Sequence, residues 1–269
     1  MKKILVPIDF SENSKLALKH AFQVANQLNS TISLLHVYQI ETRTGSFLSI
    51  DQLVQGDREG EMSVLIEEMK PLLGPKIKIE SFVKKGASVE TICQTGEKLN
   101  VDIIIMGTTG AGGMKKLFLG STASNVIKNT PIPVLAIPQD FQNFKISNIT
   151  LALDNKEIEN ATILRPLVDL VNGFKAELKL VTVIDETHPK SGIDPSVEEY
   201  LKNKGVNFTF FIITASEIIE GIQNFVKREK SDLLCVVHRS RGLFESIFEE
   251  SVAKQIAFDS RVPLLVLRG

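Results

Sequence analysis

The 269-residue chain has almost no net charge, two cysteines and no tryptophan. Its 31 lysine and arginine residues balance 32 aspartate and glutamate residues, so the formal net charge is −1. A broad nucleic-acid-binding surface needs an excess of basic residues, so the composition predicts no nucleic-acid partner. Cys93 and Cys235 are too few for a disulfide framework. Both stand among apolar residues, which is typical of small buried side chains.

Long apolar runs are also absent. No run approaches the roughly 20 residues that a membrane span needs, so we expect no membrane-embedded segment. The start, MKKILVPIDF, has the lysines of a secretory signal. Asp9 ends its apolar stretch after about five residues, short of the roughly 7–15 that a signal core needs. We therefore predict that this stretch is a first β-strand and that the protein is cytoplasmic.

The sequence repeats itself over a long period. Five landmarks recur in the same order, about 130–146 residues apart. A period of this length indicates a tandem duplication of one domain rather than a solenoid. The predicted domains are residues 1–140 and 145–269. The paired landmarks are ILVPID and ITLALD, ISLLHV and LKLVTV, GAS and TAS, DIIIMG and DLLCVV, and PVLAIP and PLLVLR.

Most of these landmarks are short aliphatic runs without polar alternation, which is typical of parallel strands buried on both faces. Between them, apolar residues recur at helical spacing, as in Ala17, Ala21 and Val24. Strands that alternate with helices of about 10–15 residues indicate right-handed βαβ crossovers. Each half is therefore predicted to be a doubly wound, Rossmann-like α/β domain with a five-stranded parallel sheet. The first half has a longer, partly helical insertion at about 41–74.

The segment 103–127, IIIMGTTGAGGMKKLFLGSTASNVI, favours a bound phosphate. After a buried strand come two glycines and, nine residues later, a Gly-Ser-Thr sequence that opens a helix: Gly107, Gly110, Gly120, Ser121 and Thr122. Glycines let backbone amides approach an anion, and a helix N-terminus attracts one. Ligands of doubly wound sheets bind at this end of the strands. The alternative is that these glycines only form a tight connection. The spacing matches neither a P-loop nor a dinucleotide fingerprint.

The pattern Gly107-x2-Gly110-x9-Gly120-Ser121 resembles the nucleotide-binding motif of the universal stress protein family. The opening ILVPIDFSENSKLALKHA, the strand ISLLHV, the segment GASVETI and the closing PVLAIP are similar to the family's other landmarks. The resemblance covers nearly the whole chain, as two such domains in tandem. It implies the adenine nucleotide alpha-hydrolase-like fold and the binding of ATP or a related adenine nucleotide, with Mg²⁺ or Mn²⁺ on the phosphates. It also implies a sensor or regulatory role in the stress response.

The resemblance also implies roles for individual residues. Asp9, at the end of the first strand, would lie near the ribose and adenine, and Val37 would line the adenine. Ribose and phosphates would be surrounded by Gly107, Thr108, Gly110, Gly120, Ser121 and Thr122. From the residues alone, Asp9 could equally be a helix cap or a turn residue.

The second half departs from the motif in the segment 236–256, VVHRSRGLFESIFEESVAKQI. Glu250 aligns with the helix-opening glycine of the first half, and either His238 or Val237 aligns with the first glycine. Carboxylates beside a helix N-terminus repel an anion, whereas Arg239 and Arg241 could grip a phosphate. We favour a solvated or subunit-contact loop and predict one nucleotide site per chain, in the first domain.

No residue is predicted to be catalytic. The four histidines show no metal-ligand spacing, no cysteine cluster supports them, and there is no G-x-S-x-G nucleophile elbow. We find neither a base nor an arginine finger, so any ATP hydrolysis should be slow. Two other functions stay open: an interaction protein whose glycine loop contacts a partner without nucleotide, and a slow ATPase.

The last strand of each half, PVLAI at 133–137 and PLLVL at 263–267, is apolar and carries no lysine that would discourage edge pairing. In the universal stress protein family, this strand commonly forms the contact between two domains. The tandem resemblance therefore implies that Val134–Ile137 pairs antiparallel with Leu264–Leu267 inside the chain. Pairing between chains is the alternative, and a homodimer is possible.

Overall fold

The computed structural model describes residues 1–40, 47–108, 119–142, 145–153, 157–184, 192–238 and 262–269. The elements of the first half are β1 Lys3–Ile8, α1 Glu12–Leu28, β2 Thr31–Tyr38, α2 Phe47–Met69, β3 Ile79–Lys85, α3 Ser88–Leu99, β4 Ile103–Gly107, α4 Ser121–Asn129 and β5 Val134–Ile137. Those of the second half are β6 Asn148–Leu153, α5 Arg165–Phe174, β7 Glu177–Ile184, α6 Pro195–Asn203, β8 Phe208–Thr214, α7 Ile218–Arg228, β9 Leu233–His238 and β10 Leu264–Arg268. Short 3₁₀ turns lie at Lys70–Leu72 and Ala161–Leu164.

The described strands form one ten-stranded sheet in the order β3-β2-β1-β4-β5-β10-β9-β6-β7-β8. Within each half, all neighbouring strands are parallel. The second half repeats the strand order of the first, read from the centre of the sheet outwards. Parallel strands joined through helices in this order are a doubly wound sheet, so the predicted α/β fold class is confirmed.

The central strands are largely apolar because helices cover both faces of the sheet. In β1, Ile4 and Val6 belong to the core beneath α1, whereas Leu5 belongs to the core beneath α3 and α4. Helix α1 begins where the Ser11 hydroxyl accepts a hydrogen bond from the Ser14 amide, which is an N-cap. Cys93 and Cys235 are buried free thiols, as predicted. No helix in the described ranges is long and apolar enough to cross a membrane.

The two halves meet along their last strands. β5 and β10 lie side by side and antiparallel, with Leu265 opposite Leu135. A second contact joins α1 to α5, where a Cβ on Gly173 would overlap a methyl carbon of Leu28. Gln27 Nε2 donates to the Gly173 carbonyl at 2.5 Å. The absence of a side chain at Gly173 therefore lets the helices of the two halves approach closely.

One aspartate in each half fixes the amino edge of the sheet. Each stands just before the fourth strand of its half and accepts two backbone amides that lead into the first strand. These pairs are Asp102 with Lys2 and Lys3, at 2.6 and 3.0 Å, and Asp232 with Ser147 and Asn148, at 2.7 and 2.9 Å. Asp102 also forms an ion pair with Arg165 of the second half. The repeated aspartate landmark thus has a structural reason, since it satisfies amides that begin a strand.

Candidate functional site

The predicted site residues of the first half gather at the carboxyl edge of its sheet. Asp9 follows β1, Val37 is the penultimate residue of β2, and Gly107 ends β4, and these three strands are neighbours in the order β2-β1-β4. The backbone amide of Gly120 donates to the carbonyl of Thr108, which connects the start of α4 to the end of β4. Gly110 lies in the range 109–118, outside the described residues.

Asp9 organises the turn between β1 and α1. Its Oδ1 accepts hydrogen bonds from the amide of Ser11 at 3.1 Å and from the Ser11 hydroxyl at 2.6 Å. The same hydroxyl oxygen caps α1, so the exposed Asp9 carboxylate is oriented by the start of the helix. These hydrogen bonds make Asp9 a turn residue, which is one of the roles that the sequence left open.

His36 ties the ends of β1 and β2 together. Its Nδ1 lies 2.8 Å from the carbonyl oxygen of Ile8, and only 7% of the residue is exposed. Because a carbonyl only accepts, Nδ1 carries the proton. The ring of Phe10, whose backbone is left-handed with φ 62°, lies against the His36 ring at 4.6 Å between centroids. His36 is therefore a buried, hydrogen-bonded histidine that fixes the strand ends.

Gly107 has a packing reason to be glycine. A Cβ at this position would lie 2.5 Å from Nδ2, 2.8 Å from Cγ and 3.1 Å from the backbone oxygen of Asn13. Asn13 is 4% exposed and lies in the first turn of α1. The glycine thus allows α1 to start directly beside the end of β4, and this packing requirement does not depend on a ligand.

The start of α4 has the form of an anion site. Gly120 is its N-cap, with φ −59° and ψ 160°, and no side chain of the described residues caps the helix. These angles are open to any residue, so the backbone conformation does not require glycine here. Ser121 and Thr122 are both exposed. The first-turn amides and the positive end of the helix dipole therefore lie beside two exposed hydroxyls.

Val37 is partly exposed and packs on the face of the sheet that carries α3 and α4. Its neighbour across the strand pair is Lys84, whose Nζ donates to the Thr95 hydroxyl at 2.8 Å. The edge near Val37 thus offers an apolar surface beside a lysine that hydrogen-bonds to a neutral group. Sequence reasoning missed Lys84, although a lysine next to the end of a strand at the ligand edge was a usable signal.

An open cleft of about 510 Å³ lies beside Asp9, between the start of α1 and α2. Of the predicted site residues that the structure describes, Asp9 alone lines it; the described lining residues are Asp9, Phe10, Lys15, Arg58, Glu61, Val64, Leu65 and Glu68. Arg58 is engaged by Glu61 at 2.7 Å. Sequence reasoning missed this cleft because α2, with 23 residues, is much longer than its 9-residue counterpart α6 in the second half. The described residues include no cluster of three or more metal-ligating side chains.

The strand registers decide which second-half residue corresponds to Gly107. Gly107 pairs with Ile137 in β5, and Val237 pairs with Leu267 in β10. Val237 therefore occupies the Gly107 position, and it is 4% exposed within the core. His238 occupies the position of Thr108. The second-half residues named further along, Arg239, Arg241 and Glu250, lie outside the described residues.

Comparisons with known proteins cover about half of the chain at the level of sequence and nearly all of it at the level of fold. The model of the universal stress protein family matches residues 1–138. Two universal stress proteins of Methanocaldococcus jannaschii, MJ0531 and MJ0577, are 33% and 34% identical over 148 and 152 residues. These matches cover 51% of this chain and 81% and 94% of the relatives. The crystal structure of a universal stress protein from Archaeoglobus fulgidus covers 99% of this chain and 98% of its own, with a TM-score of 0.75 at 22% identity. That likeness shows the fold across the whole chain.

Proposed function

This chain belongs to the universal stress protein family, and from that premise we propose that its first half binds ATP or a related adenine nucleotide as a sensor or regulatory module of the stress response. The observation that carries the proposal is the start of α4. This helix N-terminus, which no side chain of the described residues caps, opens with Gly120 beside two exposed hydroxyls, at the carboxyl edge of the sheet. The cytoplasmic location stays a prediction.

The phosphates would bind at this helix start. Gly120 has no Cβ to keep a phosphate oxygen from the first-turn amides of α4. Ser121 and Thr122 add hydroxyl donors, and the helix dipole favours negative charge. The same hydroxyls are the hard oxygen ligands that Mg²⁺ accepts together with phosphate, so they fit a cation carried by the nucleotide. Thr108 and Gly110 complete the proposed set on the phosphate side.

The nucleoside would bind along the ends of β1 and β2. Val37 offers a partly exposed apolar surface of the kind that an adenine ring covers. Asp9 offers a carboxylate that Ser11 holds in place, and such a group accepts hydrogen bonds from ribose hydroxyls. The structural task of Asp9 in its turn is compatible with this role, because the turn fixes where the carboxylate lies.

We propose a single nucleotide site per chain. Val237 places a buried side chain where Gly107 has none, so the second half does not reproduce the first glycine of the motif. Glu250, which aligns with Gly120 in the sequence, would add electrostatic repulsion of a phosphate.

Isothermal titration calorimetry of the full chain with ATP, ADP and AMP tests the proposal. We expect about one nucleotide per chain. We expect no binding by Gly120→Glu, because the new carboxylate would occupy the position of the phosphate and repel its negative charge. Gly60→Glu is the matched control, since a Cβ added to Gly60 on α2 would meet no atom within 4 Å. Retained affinity in Gly120→Glu, or two equivalent sites, would show the assignment to be wrong.

The same variants separate the alternatives. A chain that binds none of the nucleotides would favour an interaction protein. Steady phosphate release above that of Gly120→Glu would favour a slow ATPase.

A further inference from the structure

The outermost strand of the second half, β8, lies at an edge of the sheet. It ends the strand order, and within the described residues only β7 pairs with it. Its sequence, FTFFIIT, contains no charge and no proline. None of its residues is fully buried, and Ile212 is 43% exposed.

The opposite end of the sheet differs. The edge strand there, β3, has the sequence IESFVKK and so carries Glu80, Lys84 and Lys85. Charged side chains on an edge strand discourage pairing with another chain. An edge strand made of aromatic and β-branched residues without such charges favours pairing with a strand of another chain. The asymmetry between the two edges therefore points to β8 as a contact surface.

The charges at the two ends of β8 indicate what covers it. Lys204, at the end of α6, precedes the strand by four residues and Glu217 follows it by three, and both are exposed. Lys204 Nζ lies 5.7 Å from the centroid of the Tyr200 ring. Neither residue has an ion-pair partner among the described residues. In an antiparallel pair of two identical strands, the basic end of each lies beside the acidic end of the other, whereas a parallel pair would place like charges together.

We propose that β8 pairs antiparallel with β8 of a second copy of this chain, in a two-fold homodimer whose sheets become continuous. A register centred on Phe211 places Phe210 opposite Ile212, an aromatic and β-branched pair of the kind that stabilises sheets. A two-fold contact uses the same surface on both copies, which an uncharged strand with oppositely charged ends satisfies. Inside the chain, β5 and β10 already join two parallel sheets in this antiparallel way.

Sedimentation velocity of the full chain over a range of concentrations tests this proposal. We expect a concentration-dependent dimer, and we expect Ile212→Lys to raise its dissociation constant at least about tenfold, which corresponds to about 1.4 kcal/mol. Leu53→Lys is the matched control, because Leu53 is 68% exposed on α2, away from this edge. Circular dichroism should show that both variants are folded. A monomer at all concentrations, or a dimer that Ile212→Lys does not weaken more than Leu53→Lys, overturns the proposal.

A charge exchange tests the orientation. Lys204→Glu should weaken the dimer, and adding Glu217→Lys should restore it, because opposite charges then face each other again. Failure of the double variant to recover the dimer overturns the antiparallel arrangement.

Discussion

Replacing Gly107 by alanine separates the structural from the ligand role of this glycine. The added Cβ would lie 2.5 Å and 2.8 Å from two side-chain atoms of Asn13, closer than the 3.0 Å that real Cβ atoms respect. Asn13 is buried, so it cannot turn away into solvent. Overpacking of this kind costs about 1–3 kcal/mol. We expect Gly107→Ala to lose about 2 kcal/mol, which is a fall in Tm of roughly 4–8 °C for a chain of this size.

Urea denaturation without nucleotide measures this loss. Two of the three close atoms belong to the Asn13 side chain, so the substitution should cost less in an Asn13→Ala background. We expect a coupling free energy of about 1 kcal/mol from the double-mutant cycle. Full wild-type stability of Gly107→Ala, or the same cost in both backgrounds, would refute the packing argument. A loss of nucleotide binding at unchanged stability would then leave the ligand as the reason for glycine.

Three further predictions concern the sheet centre and two titrating groups. Val266→Pro removes a hydrogen-bond donor that faces β5, since the amides at alternate positions of β10, such as that of Gly269, donate to β9, and it should lower the free energy of unfolding in urea by about 3 kcal/mol or more; an unchanged midpoint would contradict the pairing of the two halves. Burial alone raises the pKa of Asp102, but two backbone amides and Arg165 lower it below its ordinary value. The stability advantage of wild type over Asp102→Asn should therefore persist above about pH 4 and shrink below it; an advantage that grows on acidification would reverse this sign. Burial lowers the pKa of His20, despite its hydrogen bond to a backbone carbonyl. The unfolded chain then binds the proton more readily, so wild-type stability should fall as the pH drops below about 6.5, more than in His20→Gln; equal slopes in urea titrations from pH 8 to 5 would disprove it.

Local pattern predicted most of the fold. Aliphatic runs such as IIIMG and helical spacing in α1 are properties of short segments, and the repeat doubled the information by showing each segment twice. The contact between α1 and α5 had no such signal. Leu28 and Gly173 lie far apart in the sequence, and their close approach follows only from how the two halves pack.

The position of the candidate site could be predicted from the sequence, and the roles of its residues less well. The carboxyl edge follows from strand direction, so Asp9, Val37 and Gly107 lie where the sequence placed them. Their tasks depend on long-range neighbours. Gly107 reads in the sequence as a residue that admits a phosphate, yet the structure puts Asn13 against it. A glycine in a motif can thus serve packing and binding together, and the sequence alone does not show which of the two requires it.

Comparison of the two halves separates structural roles from binding roles better than the sequence motif does. At the amino edge both copies keep the aspartate, Asp102 and Asp232, and both use it to bind the amides that enter the first strand. This task belongs to the sheet itself, so every copy of the fold needs it. At the carboxyl edge Gly107 corresponds to Val237, in a copy with the same strand order. The parallel sheet therefore forms without that glycine. What the first half retains at its carboxyl edge serves something other than sheet formation, namely the start of α1 and, as we propose, the nucleotide.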